Sequence, residues 1–456
     1  MKSLYKFSIA ATVAAISLSA SAQSVNSGYF MENYLYRHQM NPAFGNTGKG
    51  YVGFPALGNL NIGMQGSLNV NSFIWAKDGK TMLFTNPSLT ADEVMSKFHD
   101  HNKLGVGLKL GVIDFGFKAF GGYNTVGINV VADAGISVPK SLISLMKEGI
   151  SNQKYDISNF ALEGVGYAEI ALNHSRDIKQ VPGLRVGATV KFLVGAAALK
   201  ANFKEAYLEL QEDSWNIASN AEVFTAIKGV TYEHDYNSKD NKEYVSGLQT
   251  DDISAPNGFG VAFDFGAEYQ WRDFRFSAAV TDLGFINFSE CAKAGTNGLR
   301  EVRTDKYTFE VGGNDDDADD EWDKLADDIS ELYQLTDNGV ESFKYNLKAT
   351  LNFGVEYELP VYRKVRFGLL NTTRIAGPLT STEFRLSANF EPCKIIGLNI
   401  NGVAGTYGVG MGWMVNLRVP GFNLFAGMDR IPGKFSKQMV PLNSNANVFL
   451  GIDFPF

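Results

Sequence analysis

From Val448 to Phe456 large apolar side chains occupy every second position. Val448, Leu450, Ile452, Phe454 and Phe456 alternate with Phe449, Gly451, Asp453 and Pro455. Successive side chains of a strand point to opposite faces, so the run predicts a strand with one unbroken apolar face and one mixed face. Similar alternating runs recur along the chain at about ten residues each, the length a tilted strand needs to cross a bilayer. Counted from Leu60–Trp75 to Asn447–Phe456, they number 14. No stretch of 18 consecutive apolar residues follows Ala22, and without a spanning helix only a closed barrel satisfies every backbone group in lipid.

The connections between runs are unequal. Ala119–Asn124, Ser175–Gly183, Arg272–Asp273, Pro360–Lys364, Pro392–Lys394 and Val419–Pro420 are short. Ala76–Lys103, Val138–Phe160, Lys204–Asn257 and Ser289–Lys344 are long, and all four fall on alternate connections. Short periplasmic turns and long external loops are the usual asymmetry of an outer-membrane barrel. A soluble secreted β-sandwich, the competing architecture, has no reason to put its long loops on one side. Within Ala161–His174 the pattern (Val165, Tyr167, Ile170) slips by one residue, which reads as a bulge, and the in-strand glycines read as bends.

The beginning of the chain adds an export signal. Lys2 and Lys6, the apolar run Phe7–Leu18 and Ala20-Ser21-Ala22 have the layout of a cleaved leader, residues 1–22. Glycine (47 residues) and aromatics (12%) suit tight turns and interfacial girdles. Net charge is −8. The window 315–328 alone holds nine acids and one lysine, so the rest is close to neutral and no nucleic-acid partner is indicated.

Residues 23–59 are too irregular for wall and are expected to fill the lumen as a plug ahead of a barrel over residues 60–456. Here the residues Arg37, His38, Asn41, Pro42, Ala43 and Phe44 stand out. Asn41-Pro42-Ala43 resembles the Asn-Pro-Ala motif in the plug of FadL-type barrels, which have 14 strands. The longer run, on to Gly53-Phe54-Pro55-Ala56-Leu57-Gly58-Asn59, looks like an outer-membrane family of the Bacteroidota similar to FadL-type transporters and to the PorV-type barrels of type IX secretion. The resemblance is sharp over residues 30–75 and architectural beyond. It implies either passive uptake of small hydrophobic molecules or, alternatively, a surface scaffold for partner proteins. Arg37 and His38 are expected to hydrogen-bond the plug to the wall.

Other chemistry is thin. His99-x-His101 has metal-ligand spacing but no third ligand nearby. Asp315-x-Asp317-x-Asp319 opens like a calcium loop, yet Asp320 stands where that pattern needs Gly and Ala326 where it needs Glu. The acids precede Trp322, Leu325, Ile329 and Leu332, a helical spacing that suits an amphipathic helix over the barrel mouth. A second short helix is expected near Lys140–Lys147. His174-Ser175 has no recognisable catalytic partner. Cys291 in an external loop and Cys393 in a periplasmic turn should lie too far apart to pair.

The expectation is thus an all-β, 14-stranded antiparallel transmembrane barrel with an N-terminal plug and long extracellular loops. It is expected in the outer membrane, with no catalytic residues, no metal and no cofactor. Its partners would be outer-membrane lipid and the barrel-assembly machinery, with a hydrophobic small molecule or a surface protein as ligand.

Overall fold

The computed structural model describes residues 25–45, 50–77, 80–149, 151–211, 214–237, 241–304, 324, 327–332, 334–433 and 445–456. The expected leader, residues 1–22, the acids at 315–320, Trp322 and Leu325 lie outside them.

Strands β1 to β14 close into a 14-stranded antiparallel barrel. They are β1 (Gly50–Gly53 and Leu60–Gly66), β2 (His101–Ala119), β3 (Gly122–Pro139), β4 (Ala161–Asp177) and β5 (Leu184–Leu210). Next come β6 (Gly258–Trp271), β7 (Phe274–Gly295), β8 (Thr350–Glu358), β9 (Val365–Arg374) and β10 (Ser381–Phe390). The last are β11 (Ile396–Gly405), β12 (Gly408–Val419), β13 (Phe422–Arg430) and β14 (Ala446–Pro455). Each pairs with its sequence neighbours. β1 closes the ring between β14 and β2, with Tyr51 opposite Pro455 and Gly116, and Leu60 opposite Leu450 and Leu110.

The faces are inverted relative to a soluble protein. On β9 and β10, Phe367, Leu369, Phe384 and Leu386 are exposed outward, while Arg366, Arg385, Ser387 and Asn389 are buried inward. Lipid is the solvent such an outer surface suits, and the polar lumen is the complementary sign of a membrane barrel. The tight turns follow their local chemistry: Arg272 in Trp271-Arg272-Asp273-Phe274 has φ 54° and Gly421 after Pro420 has φ 77°. The slip in β4 is a register shift against β5 at Gly166/Tyr167.

Three features of the wall depart from the sequence reading. The first wall strand is not Leu60–Trp75. It starts at Gly50, breaks over Phe54–Asn59 and ends at Gly66, while Val70–Phe73 is helical and Ile74–Lys77 pairs with Lys80–Leu83 in a separate hairpin. Pro55 and Gly58 interrupt the alternation, so the two pieces do not read as one run. Second, Lys204–Asn257 is not a loop. β5 has 27 residues, more than twice the roughly ten that a bilayer needs. Its first half pairs with β6 and its second with Trp215–Tyr236, which in turn pairs with Glu243–Ser254 and Arg300–Arg303. Third, β7 runs on through Cys291 and pairs with Thr336–Asn346, so Cys291 lies in a strand, not a loop. Beyond the membrane both faces meet polar surroundings, and the apolar alternation that marks wall strands is lost.

The helix Lys140–Glu148 is present. Residues 327–331 are helical, and Leu332 is buried beside them.

Candidate functional site: the occupied lumen

Residues 25–45 lie inside the barrel, short 3-10 turns without long regular structure, held by side chains of strands all round the wall. Ser27 donates from its backbone N–H (2.6 Å) and its hydroxyl (2.5 Å) to Asp429 on β13. Tyr29 Oη pairs with Ser277 Oγ on β7 at 3.1 Å, and Tyr36 Oη donates to Asp453 Oδ1 on β14 at 2.6 Å. Asn352 on β8 and Asn416 on β12 donate to the carbonyls of Met40 and Asn33. At the short-turn end Glu32 meets Arg275 at 2.9 Å and Arg366 at 3.3 Å. Burial pushes the Glu32 carboxyl up, but the guanidiniums of Arg366 and Arg275 outweigh it and hold it down at about 2. Tyr29, Phe30, Met31, Tyr34, Leu35, Tyr36, Met40 and Phe44 form an apolar core with Tyr51, Phe425 and Phe449 from the wall.

The six motif residues have distinct places. Arg37 turns back on its own segment, donating from Nε to the Tyr29 carbonyl at 2.9 Å with its guanidinium 4.2 Å from the centre of the Phe44 ring. His38 Nδ1 lies 3.2 Å from the Leu35 carbonyl, and burial pushes its imidazole down to about 4. Neither of these two bonds reaches the wall, contrary to the expectation for the pair. Asn41 does reach it. Its Oδ1 accepts from the Ala43 N–H at 3.0 Å in a local turn, and its Nδ2 donates to the Ala267 carbonyl at 3.2 Å on β6. Pro42 offers its carbonyl to Asn173 Nδ2 on β4 at 3.2 Å.

The wall is cut away where this motif touches it. A Cβ at Gly187 on β5 would stand 2.1 Å from the Pro42 carbonyl oxygen, and one at Gly266 on β6 would stand 2.0 Å from Asn41 Oδ1. These glycines permit close approach rather than bending the strand, a role that depends on partners far away in sequence and that in-strand position alone does not reveal. On the outer surface of β6 to β10 the small residues Ala267 on β6 and Ala278 on β7 leave an apolar hollow of about 480 Å³, bordered by Tyr269, Phe276, Phe353, Leu369 and Phe384. The wall is thin here, with Asn41 directly behind it.

Between the segment and the long-loop end lies a polar chamber. Its middle part, about 60 Å³, rests on Tyr34, Gln39 and Met40. Its upper part, about 100 Å³, reaches Leu379 and Tyr407. Both share Asp133, Lys348 and Arg374. Arg374 donates to Asp133 at 2.7 Å, and Lys348 also pairs with it. Lys191 bridges Asp264 at 2.9 Å and Asp282 at 2.6 Å, and Lys109 meets Glu169 at 3.0 Å.

Residues 42–429 match the profile described as "Family of unknown function (DUF5723)". The chain belongs to this family. No curated protein matches the chain. Solved structures to which this DUF5723 member is similar include the toluene transporter TodX of P. putida, at 9% identity and TM-score 0.38, covering 91% of this chain and 92% of that one. The toluene transporter TbuX of Ralstonia pickettii gives 8%, 0.38, 92% and 92%. A FadL homologue of Pseudomonas aeruginosa gives 9%, 0.32, 91% and 90%.

Elsewhere in this DUF5723 barrel the closing strand sends Val448, Phe454 and Phe456 outward, with Leu450 and Ile452 half-buried on the same face, while Asn447, Phe449 and Asp453 point inward. His99 and His101 are exposed, and among the described residues no group of three or more His, Cys, Asp or Glu could hold a metal. His174 Nδ1 pairs with Asn124 Oδ1 at 2.9 Å. Cys291 and Cys393 are both free thiols, the first buried and the second exposed.

Proposed function

We propose that this outer-membrane barrel mediates passive uptake of small molecules and that residues 25–45 are its plug. The observation that supports this is the lumen itself: a polar chamber descends from the long-loop end and meets Tyr34, Gln39 and Met40 of this segment. A plugged lumen makes a poor open pore, so passage requires the segment to move or the wall to part. The hydrophobic passengers that the resemblance implies have a suitable surface in the hollow at Ala267 and Ala278, from which a molecule would exchange with lipid. Export through a leader cleaved near Ala22, and insertion by the barrel-assembly machinery, belong to the same reading. Deleting Gln23–Gly45 should raise permeability in reconstituted liposomes while the barrel stays folded. Unchanged permeability would mean that this segment is not the gate.

One observation favours a second reading, a surface scaffold for partner proteins. The β-structured extension carries exposed acids at Glu233, Asp235, Glu243, Asp251 and Asp252, a better docking surface for protein than for a hydrophobic ligand. Mass spectrometry of what stays bound after gentle extraction separates the two. A small hydrophobic molecule without a protein companion supports uptake, and a stable protein companion without such a molecule supports the scaffold.

A further inference from the structure

We infer that the luminal chamber is a binding site for a small, neutral, hydroxyl-rich solute such as a short polyol or a sugar. This deepens the uptake reading and rests on it: it names what the lumen, as distinct from the wall hollow, admits.

The argument starts from which groups are satisfied. Every charged side chain lining the chamber has a partner within the protein. Lys109 has Glu169, Lys191 has Asp264 and Asp282, and Lys348 and Arg374 share Asp133. Glu383 is held by Arg385 at 2.9 Å and Arg430 at 3.3 Å, and Asp114 accepts from the Tyr51 hydroxyl. An ionic solute would have to break one of these buried pairs, and stripping a partner from a buried charge is among the costliest changes a protein can undergo. A hydrocarbon would leave the same groups facing it without solvent.

Apart from Asp114 Oδ2, the unsatisfied atoms at issue are of another kind. Tyr345 Oη, Asn59 Oδ1, Asn129 Oδ1 and Asn173 Oδ1 have no hydrogen-bond partner in the protein, and each residue is at least nine-tenths buried. The amide orientations are fixed from the other side. Asn59 Nδ2 donates to Gln39, Asn129 Nδ2 to Glu169 and Asn173 Nδ2 to the Pro42 carbonyl, so it is the carbonyl oxygen that is left over. Tyr345 and Asn59 line the middle of the chamber, while Asn129 and Asn173 line a pocket below it that shares Gln39, Lys109, Glu169 and Lys191 with the middle. Three leftover amide acceptors, the second Asp114 oxygen and one hydroxyl call for a ligand that donates several hydrogen bonds and carries no charged group. Hydroxyl groups do both, and Tyr167 and Tyr345 line the same space. A buried water needs about 10–15 Å³ on this measure, so a middle part of about 60 Å³ has room for several heavy atoms.

The test is ligand-observed saturation-transfer NMR on the full-length protein in detergent, with erythritol, β-alanine and ethanolamine as probes. Erythritol should receive magnetisation, whereas zwitterionic β-alanine and cationic ethanolamine, which both carry charged groups, should not. Tyr345→Phe removes a hydroxyl that bonds nothing in the protein, so the barrel should fold normally while erythritol binds about three- to tenfold more weakly, the loss of one hydrogen bond. Asn59→Ser is the second variant and should act in the same direction. Tyr362→Phe, at the exposed short-turn end, should change nothing. Transfer to ethanolamine or β-alanine without erythritol would overturn the solute class, and transfer to none would mean that the chamber holds water only. Swelling of proteoliposomes in erythritol is measured separately. Binding without flux would leave this site standing and overturn the uptake reading, whereas flux without binding would do the reverse.

Discussion

Tyr36 Oη donates to Asp453 Oδ1 at 2.6 Å across 417 positions of sequence. The bond joins the luminal segment to the strand that closes the barrel. The Asp453 carboxylate also accepts from Asn423 Nδ2 at 3.1 Å. The same contact explains a glycine in the wall, because a Cβ at Gly53 would stand 2.7 Å from the Tyr36 oxygen.

Tyr36→Phe leaves that buried carboxylate one donor short, and an unmet buried acceptor costs about 1–3 kcal/mol. The temperature at which the folded band disappears in unheated gel electrophoresis should fall. No change in that temperature would mean that the bond contributes nothing to closing the barrel.

Gly187→Val and Gly266→Val place atoms where Pro42 and Asn41 now sit. Each should dislodge the segment without touching its sequence, and swelling rates should approach those of the Gln23–Gly45 deletion. Gly402→Val, where a Cβ meets nothing within 4 Å, is the control and should behave like the parent. Parent-like rates in the first two would show that the segment yields at no cost to closure.

Acid should loosen the segment in two adjoining windows. His38 has a folded value of about 4, lowered from 6.5 by burial. Its neutral form is the folded one, so its contribution is complete above 6.5 and declines as pH falls toward 4. Glu32 is held at about 2 against a usual 4.5, so its contribution is complete above 4.5 and declines as pH falls toward 2. Pepsin cleavage within residues 25–45 should therefore accelerate as pH drops from 4.5 to 2. Glu32→Gln should cleave readily throughout that range, with a flatter dependence. A parent profile without slope there would remove Glu32 as a tether.

A water-soluble maleimide should label Cys393 in the folded protein and Cys291 only after unfolding, read as one mass increment and then two. Double labelling of the native barrel would show that β7 does not bury Cys291.

How much was legible follows the range of the forces. Alternation with period two, and turn chemistry such as Pro420-Gly421, are local, so strands β2 to β14 fall close to the runs read from sequence. The bulge at Gly166/Tyr167 also left its mark as a slipped pattern. β1 was misplaced because Pro55 and Gly58 split it. The extension was taken for loop because strands beyond the bilayer carry no lipid-facing stripe. The expected wall contacts of Arg37 and His38 are instead bonds within the segment, and it is Asn41 and Pro42 that meet the wall.

The sequence by itself therefore determined the wall: a strand shows its two environments in every pair of residues, and lipid on one side makes that signal strong. Only the tertiary structure decided what the lumen does. The partners there are far apart in sequence, Ser27 with Asp429 or Asp133 with Lys348 and Arg374. A charge or amide looks the same in sequence whether it is satisfied or not. Closing the barrel brought these groups together, paired Lys191, Lys348 and Arg374 with aspartates, and left oxygens such as those of Tyr345, Asn59, Asn129 and Asn173 without a partner in the protein.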